Sequence, residues 1–298
     1  MKKLTLIIPT ILIALLLFSC STDNQGTGKI KIAVGVVPEA EFVEKVAGDL
    51  AEVVILVPPG NSPANYQPTA VEMQALSDAD IYFTLQMPTE EANILPKVSN
   101  FNKTIKIVNL RDAVSKVYPL IIADDHGHEG ETSSDAVSVD PHLWLSPKRS
   151  VVMVLTIADE LSLFDPENES TYRENAAAYI KEIDALDKEI TVRLSSLKHR
   201  AFMIYHGSYG YFADDYNLEM ISIEVAGKKA TALEIQQVIE HALEEEIKIV
   251  FYQEEFDDNQ AQTIAKEING KVVKVAPLSK NYLQSLRDFI YALEHQED

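Results

Sequence analysis

Residues 168–198 run for about thirty positions without a glycine or a proline. Tyr172, Ala176, Tyr179, Ile183, Leu186, Ile190, Leu194 and Leu197 recur along them at spacings of three or four, which draws one apolar stripe down a continuous helix. Arg173, Glu174, Lys181, Glu182, Asp187 and Lys188 occupy the opposite face. At 1.5 Å per residue such a helix is roughly 45 Å long, the height of two stacked lobes. Asp165-Pro166 before it suits a helix start, and acidic residues in its first turn suit the helix dipole. A rod of this kind either pairs with a second copy as a coiled coil or packs lobes of its own chain along its length. The flanking sequence favours the second.

On both sides of the rod, short β-branched runs alternate with helical stretches. Strands are predicted over 30–37, 53–57, 81–85 and 105–108, with helices over 40–50, 70–77 and 90–98. A second set follows: strands over 201–205, 220–223, 247–252 and 272–276, helices over 209–216, 232–245, 258–268 and 281–293. Strands that are apolar on both faces and separated by helices imply parallel sheets covered by helices. The expected fold class is therefore α/β, two (β/α) lobes with parallel sheets joined by one long rigid helix. The N-terminal lobe spans 29–166, the linking helix 167–199 and the C-terminal lobe 200–298. A continuous helix between lobes resists bending, so closing motions should be small.

Lys2 and Lys3 precede an apolar run over 4–18, too short for the roughly 20 residues of a spanning helix. A charged start followed by a short greasy stretch reads as a secretory signal. The run ends Leu17-Phe18-Ser19-Cys20, and Cys20 is the single cysteine of the chain. This resembles a bacterial lipoprotein processing site, with Cys20 lipidated to anchor an extracytoplasmic protein to the membrane; an uncleaved anchor or an ordinary signal peptide are the alternatives. Residues 21–28 (STDNQGTG) read as a tether.

With 26 Lys+Arg against 46 Asp+Glu, the formal charge of −20 argues against nucleic-acid binding, which requires cations to displace phosphate counterions. It leaves a cationic ligand open. One cysteine excludes a disulfide framework and a cysteine-rich zinc module.

Seven histidines remain to be placed. His199, His241 and His295 sit among charges on or near helix ends and read as solvated. His206 follows the apolar run AFMIY, at the carboxyl end of an expected strand, where open parallel sheets bind ligands. His142 lies in Asp140-Pro141-His142-Leu143-Trp144-Leu145-Ser146-Pro147, between two prolines that fix a turn. Asp140 can orient its ring, as carboxylates do behind metal-bound imidazoles. Upstream, Asp124-Asp125-His126-Gly127-His128-Glu129-Gly130-Glu131 reads either as a loose metal-capturing loop or as a solvated acidic loop.

The order SPxxYxPT (62–69), a His-containing acidic loop, DPHLWLSP (140–147), a long helix, YHGSYGYFADDY (205–216) and a terminal PLS (277–279) resembles the zinc/manganese-binding proteins of ABC transporters, from about Lys29 to the C-terminus. The resemblance implies two lobes on a rigid helix, a single divalent cation held in their cleft, and delivery of that ion to a membrane permease; nothing in the sequence suggests an obligate oligomer, so a monomer is expected. Two of the family's imidazoles match His142 and His206. The departures are as specific. The first family histidine falls where this chain has Ala64, Gln67 replaces a nearby acid, and Asn281 falls where an aspartate is expected.

Zinc sites use about four ligands, so two imidazoles alone leave the site open. The candidates to complete it are Glu39, Glu41, Glu254, Glu255, Asn65, Asn281 and the loop pair His126/His128. Zinc is favoured over manganese as the transported ion because imidazole suits the former and oxygen donors the latter. A degenerate paralogue with weak binding is the alternative. A metallohydrolase is a remote third class: two histidines and a glutamate can activate water, but there is no HExxH, P-loop or nucleophile elbow, and no enzyme activity is expected.

Overall fold

The computed structural model describes residues 28–122, 139–224 and 228–295. The leader with Cys20, the tether to residue 27 and the loop bearing His126 and His128 lie outside the described residues. In chain order the elements of the first lobe are β1 (Ile30–Val34), α1 (Val37–Ala47), β2 (Ala51–Ile55), α2 (Ala70–Ser77), β3 (Ile81–Thr84), α3 (Leu95–Phe101, entered through a π-helical turn), β4 (Lys106–Asn109), α4 (Leu110–Ser115) and α5 (Pro147–Phe164). The long helix α6 (Glu169–Leu194) follows. The second lobe comprises β5 (Ala201–Ile204), α7 (Gly210–Tyr216), β6 (Glu219–Ser222), α8 (Ala232–Glu244), β7 (Ile249–Gln253), α9 (Asn259–Glu267), β8 (Lys271–Val275) and α10 (Tyr282–Glu294). Among the described residues no helix is long and apolar enough to cross a membrane.

Each lobe is a four-stranded parallel sheet, ordered β2-β1-β3-β4 in the first and β6-β5-β7-β8 in the second. The α/β reading of the sequence stands. In both sheets the strand order reverses between the first strand and its right-hand neighbour, which opens a crevice at the carboxyl ends. The two sheets turn those ends toward a common junction.

The stripe on α6 is the seam between the lobes. Tyr172, Ala176, Tyr179, Ile183, Leu186, Ile190 and Leu194 are all buried in one apolar cluster that takes in side chains of α1, α5 and α10. Two further clusters fill the outer layers of the sheets. Polar links cross the same seam. The Glu41 carboxylate of α1 accepts from the Tyr179 hydroxyl at 3.0 Å and from the Tyr282 amide at 2.7 Å. Arg149 of α5, only 1% exposed, donates to Asp215 of α7 at 2.7 Å. The joint is packed along its whole length, which is the physical ground for rigidity.

The observed elements differ from the expected ones at the end of the first strand and in two helices, the short α4 and the long α5, that the sequence reading did not include. The strand predicted over 30–37 stops at Val34, because the Glu39 carboxylate takes the Gly35 and Val36 amides at 2.9 and 3.0 Å and turns the chain into α1. Helix α5, 18 residues long, was not among the expected helices. Pro147 was read as fixing a turn, but it stands in the first helical turn, where its missing N–H costs nothing, and Ser146 caps the helix through the Arg149 amide.

Candidate metal centre

His142 and His206 reach the junction from opposite lobes. His206 follows β5 by two residues, and the parallel register of β5 with β6 lays Glu224 beside it: the amide of Glu224 donates to Tyr205 O at 2.8 Å. The Glu224 carboxylate then stands 2.5 Å from His206 Nδ1. Gln253, at the end of β7 and buried, brackets the same residue, its Nε2 donating to His206 O at 2.6 Å and its Oε1 accepting from His206 N at 3.3 Å. Phe256 stacks on the imidazole with centroids 4.8 Å apart.

His142 stands at the start of a single 3-10 turn, Leu143–Leu145, that leads into α5. Asp140 Oδ1 accepts from the His142 backbone N–H at 2.9 Å and lies 2.7 Å from its ring Nδ1. The other Asp140 oxygen lies against Gly210 at the start of α7; a Cβ there would approach it to 2.7 Å, so Gly210 is what lets the two lobes close here. Tyr211 donates its hydroxyl to Asp140 O at 2.7 Å, and Trp144 Nε1 donates to Pro277 O at 2.9 Å across the junction.

The outcome is a facing pair of rings. Each Nδ1 is beside a carboxylate, so the proton of a neutral imidazole resides there and the lone pair resides on Nε2. The two Nε2 atoms are 3.3 Å apart. Two lone pairs at that separation repel unless a proton or a cation lies between them. Donors 2.0–2.1 Å from a tetrahedral zinc sit roughly 3.3–3.4 Å from each other, so the spacing equals one edge of such a site. The pocket at this point has a volume of about 20 Å³, room for a water-sized guest or a single ion, and is lined otherwise by Ser62, Pro63, Trp144, Glu255, Phe256 and Leu278.

The remaining candidates separate cleanly. Glu39 and Glu41 are buried outside the pocket wall: one Glu39 oxygen takes the Gly35 and Val36 amides, and Glu41 takes the Tyr179 hydroxyl and the Tyr282 amide at the seam. Glu254 is exposed and paired with Lys274 at 2.5 Å. Ala64 and Asn65 are exposed on the loop whose Ser62 and Pro63 line the pocket. Asn281 is exposed at the start of α10 and lies outside the pocket wall. Glu255 lines the pocket, half-buried, and burial pushes its carboxyl above the ordinary carboxylate range, with the Glu254 charge acting in the same direction. His199 and His241 lie at the surface beside Glu246 and Glu219, and His295 contacts Tyr291 O. Among the described residues no three of His, Cys, Asp and Glu stand close enough together to hold an ion.

Glu224 and Gln253 were missed from the sequence. The signal available was positional: Gln253 ends β7 and Glu224 follows β6 by two residues, both strands flank β5, which His206 follows, and residues in that register meet at a parallel sheet's carboxyl edge.

Two parallel-sheet lobes clasped on one long helix, with an ion-sized pocket at the junction, define a rigid, two-lobed binding-protein architecture. The chain belongs to the ZnuA family, zinc-uptake complex component A periplasmic, whose family model matches residues 32–296. It is 31% identical over 313 residues to the zinc-binding lipoprotein AdcA of Streptococcus pneumoniae, an alignment covering 100% of this chain and 62% of AdcA. The chain thus spans less than two thirds of that relative's length. It is 26% identical over 281 residues to the metal ABC transporter substrate-binding lipoprotein SsaB of Streptococcus sanguinis, covering 90% of this chain and 87% of SsaB. Among solved structures, a crystal structure of ZnuA superposes with a TM-score of 0.82 at 32% identity, covering 91% of this chain and 100% of that one. The Zn(II)-bound ZnuA-like domain of Streptococcus pneumoniae AdcA gives a TM-score of 0.72 at 28% identity, covering 90% and 99%.

Proposed function

We propose that this chain is an extracytoplasmic solute-binding protein that captures a divalent transition metal between His142 and His206 and hands it to an ABC permease. Zinc is the preferred cargo and manganese the weaker one, since both donors are imidazoles. Cys20 provides the lipid anchor, and the protein acts as a monomer. The observation that carries the reading is the 3.3 Å approach of two Nε2 atoms whose Nδ1 partners are both carboxylates. The names and the zinc-bound structure of its relatives support the same cargo.

Transport chemistry needs capture without turnover, and the pocket is consistent with it. Ser208 Oγ accepts from Gln253 at 3.0 Å, while His206 Nε2 faces His142, so Ser208 and His206 form no nucleophile–base couple. Calorimetric titration of the purified mature chain with zinc should give one stoichiometric site, absent from a His142→Ala/His206→Ala double variant. Tight stoichiometric binding that survives in the double variant would sink the assignment. A wild-type chain that takes no zinc would support the degenerate paralogue instead.

A further inference from the structure

A dication held by two neutral imidazoles lacks a balancing charge inside its site. Apart from the two histidines, Glu255 is the one ionisable residue in the pocket wall among the described residues. It stands two positions past β7, the strand next to β5, in the crevice where the strand order of the second sheet reverses. Its neighbour Glu254 turns outward to Lys274, so the acidic pair divides into one surface and one pocket carboxylate.

A second observation points to the same place. The Tyr209 hydroxyl is fully buried and has no hydrogen-bond partner among the described residues. Its ring is fixed against Phe289, with centroids 4.1 Å apart, so the hydroxyl cannot move out to water. Burial, and after it the Glu255 charge, hold that hydroxyl well above the ordinary tyrosine range. A buried O–H donor without an acceptor is costly, and a carboxylate arriving within reach would satisfy it.

We propose that Glu255 is the third protein ligand of the cargo ion, filling the place that Ala64 leaves empty of an imidazole, and that the Tyr209 O–H holds the outer oxygen of that carboxylate. Glu255 enters by a rotamer change when the ion arrives: one oxygen turns to the metal and the other accepts from Tyr209, the arrangement by which an outer donor fixes a carboxylate ligand. The proposal rests on the zinc-capture reading above.

The test is a zinc titration against a chromophoric chelator for the wild type, Glu255→Gln, Glu255→Asp, Glu254→Gln, Tyr209→Phe and the Tyr209→Phe/Glu255→Gln double variant, with melting curves to check folding. Glu255→Gln should weaken zinc about 100-fold and Tyr209→Phe about tenfold, the range seen when ligands or their orienting partners are lost. Glu255→Asp should recover part of the loss, Glu254→Gln should bind as wild type, and Tyr209→Phe should add nothing to Glu255→Gln. Cobalt(II) bound in place of zinc should change its visible spectrum in Glu255→Gln, which an altered donor set requires and a merely structural role does not. Wild-type affinity and an unchanged cobalt spectrum in Glu255→Gln would overturn the ligand assignment while leaving zinc capture intact. A full additional loss from Tyr209→Phe in the Glu255→Gln background would overturn the role of Tyr209. A wild-type chain without zinc binding would overturn the functional reading, and this inference with it.

Discussion

Replacing Asp140 separates the orientation of His142 from its presence. One oxygen of Asp140, a residue 7% exposed, accepts from both the backbone N–H and the ring of His142, at 2.9 and 2.7 Å. Asparagine keeps an acceptor of the same shape and loses the negative charge behind the ring. Alanine loses both bonds, leaves a buried N–H unsatisfied, and frees the ring to rotate its Nε2 away from His206. Loss of an orienting partner behind a ligating imidazole typically costs 10–100-fold in metal affinity, so Asp140→Asn should weaken zinc about tenfold and Asp140→Ala about 100-fold. These correspond to about 1.4 and 2.7 kcal/mol of binding free energy. The alanine variant should also lose about 1–3 kcal/mol of folding stability from the abandoned donor, whereas asparagine should lose less. Chelator competition reads the affinity and chemical denaturation reads the stability. Asp140→Ala binding zinc as tightly as wild type would refute the reasoning, because the ring would then need no carboxylate to present its lone pair.

Two further outcomes follow from the same geometry. Glu39 and Glu90 are fully buried in the first lobe; burial raises both carboxyls, and the Glu90 charge raises Glu39 further. A carboxyl that binds its proton more tightly folded than unfolded stabilises most below the ordinary range near pH 4.3 and loses that contribution as pH rises through its folded pKa. Glu39→Gln should therefore gain on wild type in melting temperature as pH is raised from 5 to 9; a constant difference across that window would exclude the effect. Ala64→His, on the loop whose Ser62 and Pro63 line the pocket, should tighten zinc by about tenfold or more if an imidazole ligand is restored. No change in a competition titration would show that the loop does not present residue 64 to the ion.

Local patterns determined much of this protein. The period of the apolar residues on α6, the β-branched runs of both sheets and the position of His206 at a strand end are short-range facts, readable wherever 3.6-residue and strand periodicities hold. Helix α5 escaped because its capping Ser146 and Pro147 were read as part of a turn. What the sequence left open was the choice among Glu39, Glu41, Glu254, Glu255, Asn65 and Asn281, each a plausible donor beside an expected strand end or loop. Only the tertiary structure separates these residues, because burial and pairing are properties of contacts between distant segments. The register of β6 on β5 brings in Glu224, the docking of α1 on α6 and α10 consumes Glu41, and the return of β7 beside β5 leaves Glu255 in the pocket wall. The identity of a side chain is written in the chain, but the field and the neighbours it meets are set by which strands lie side by side.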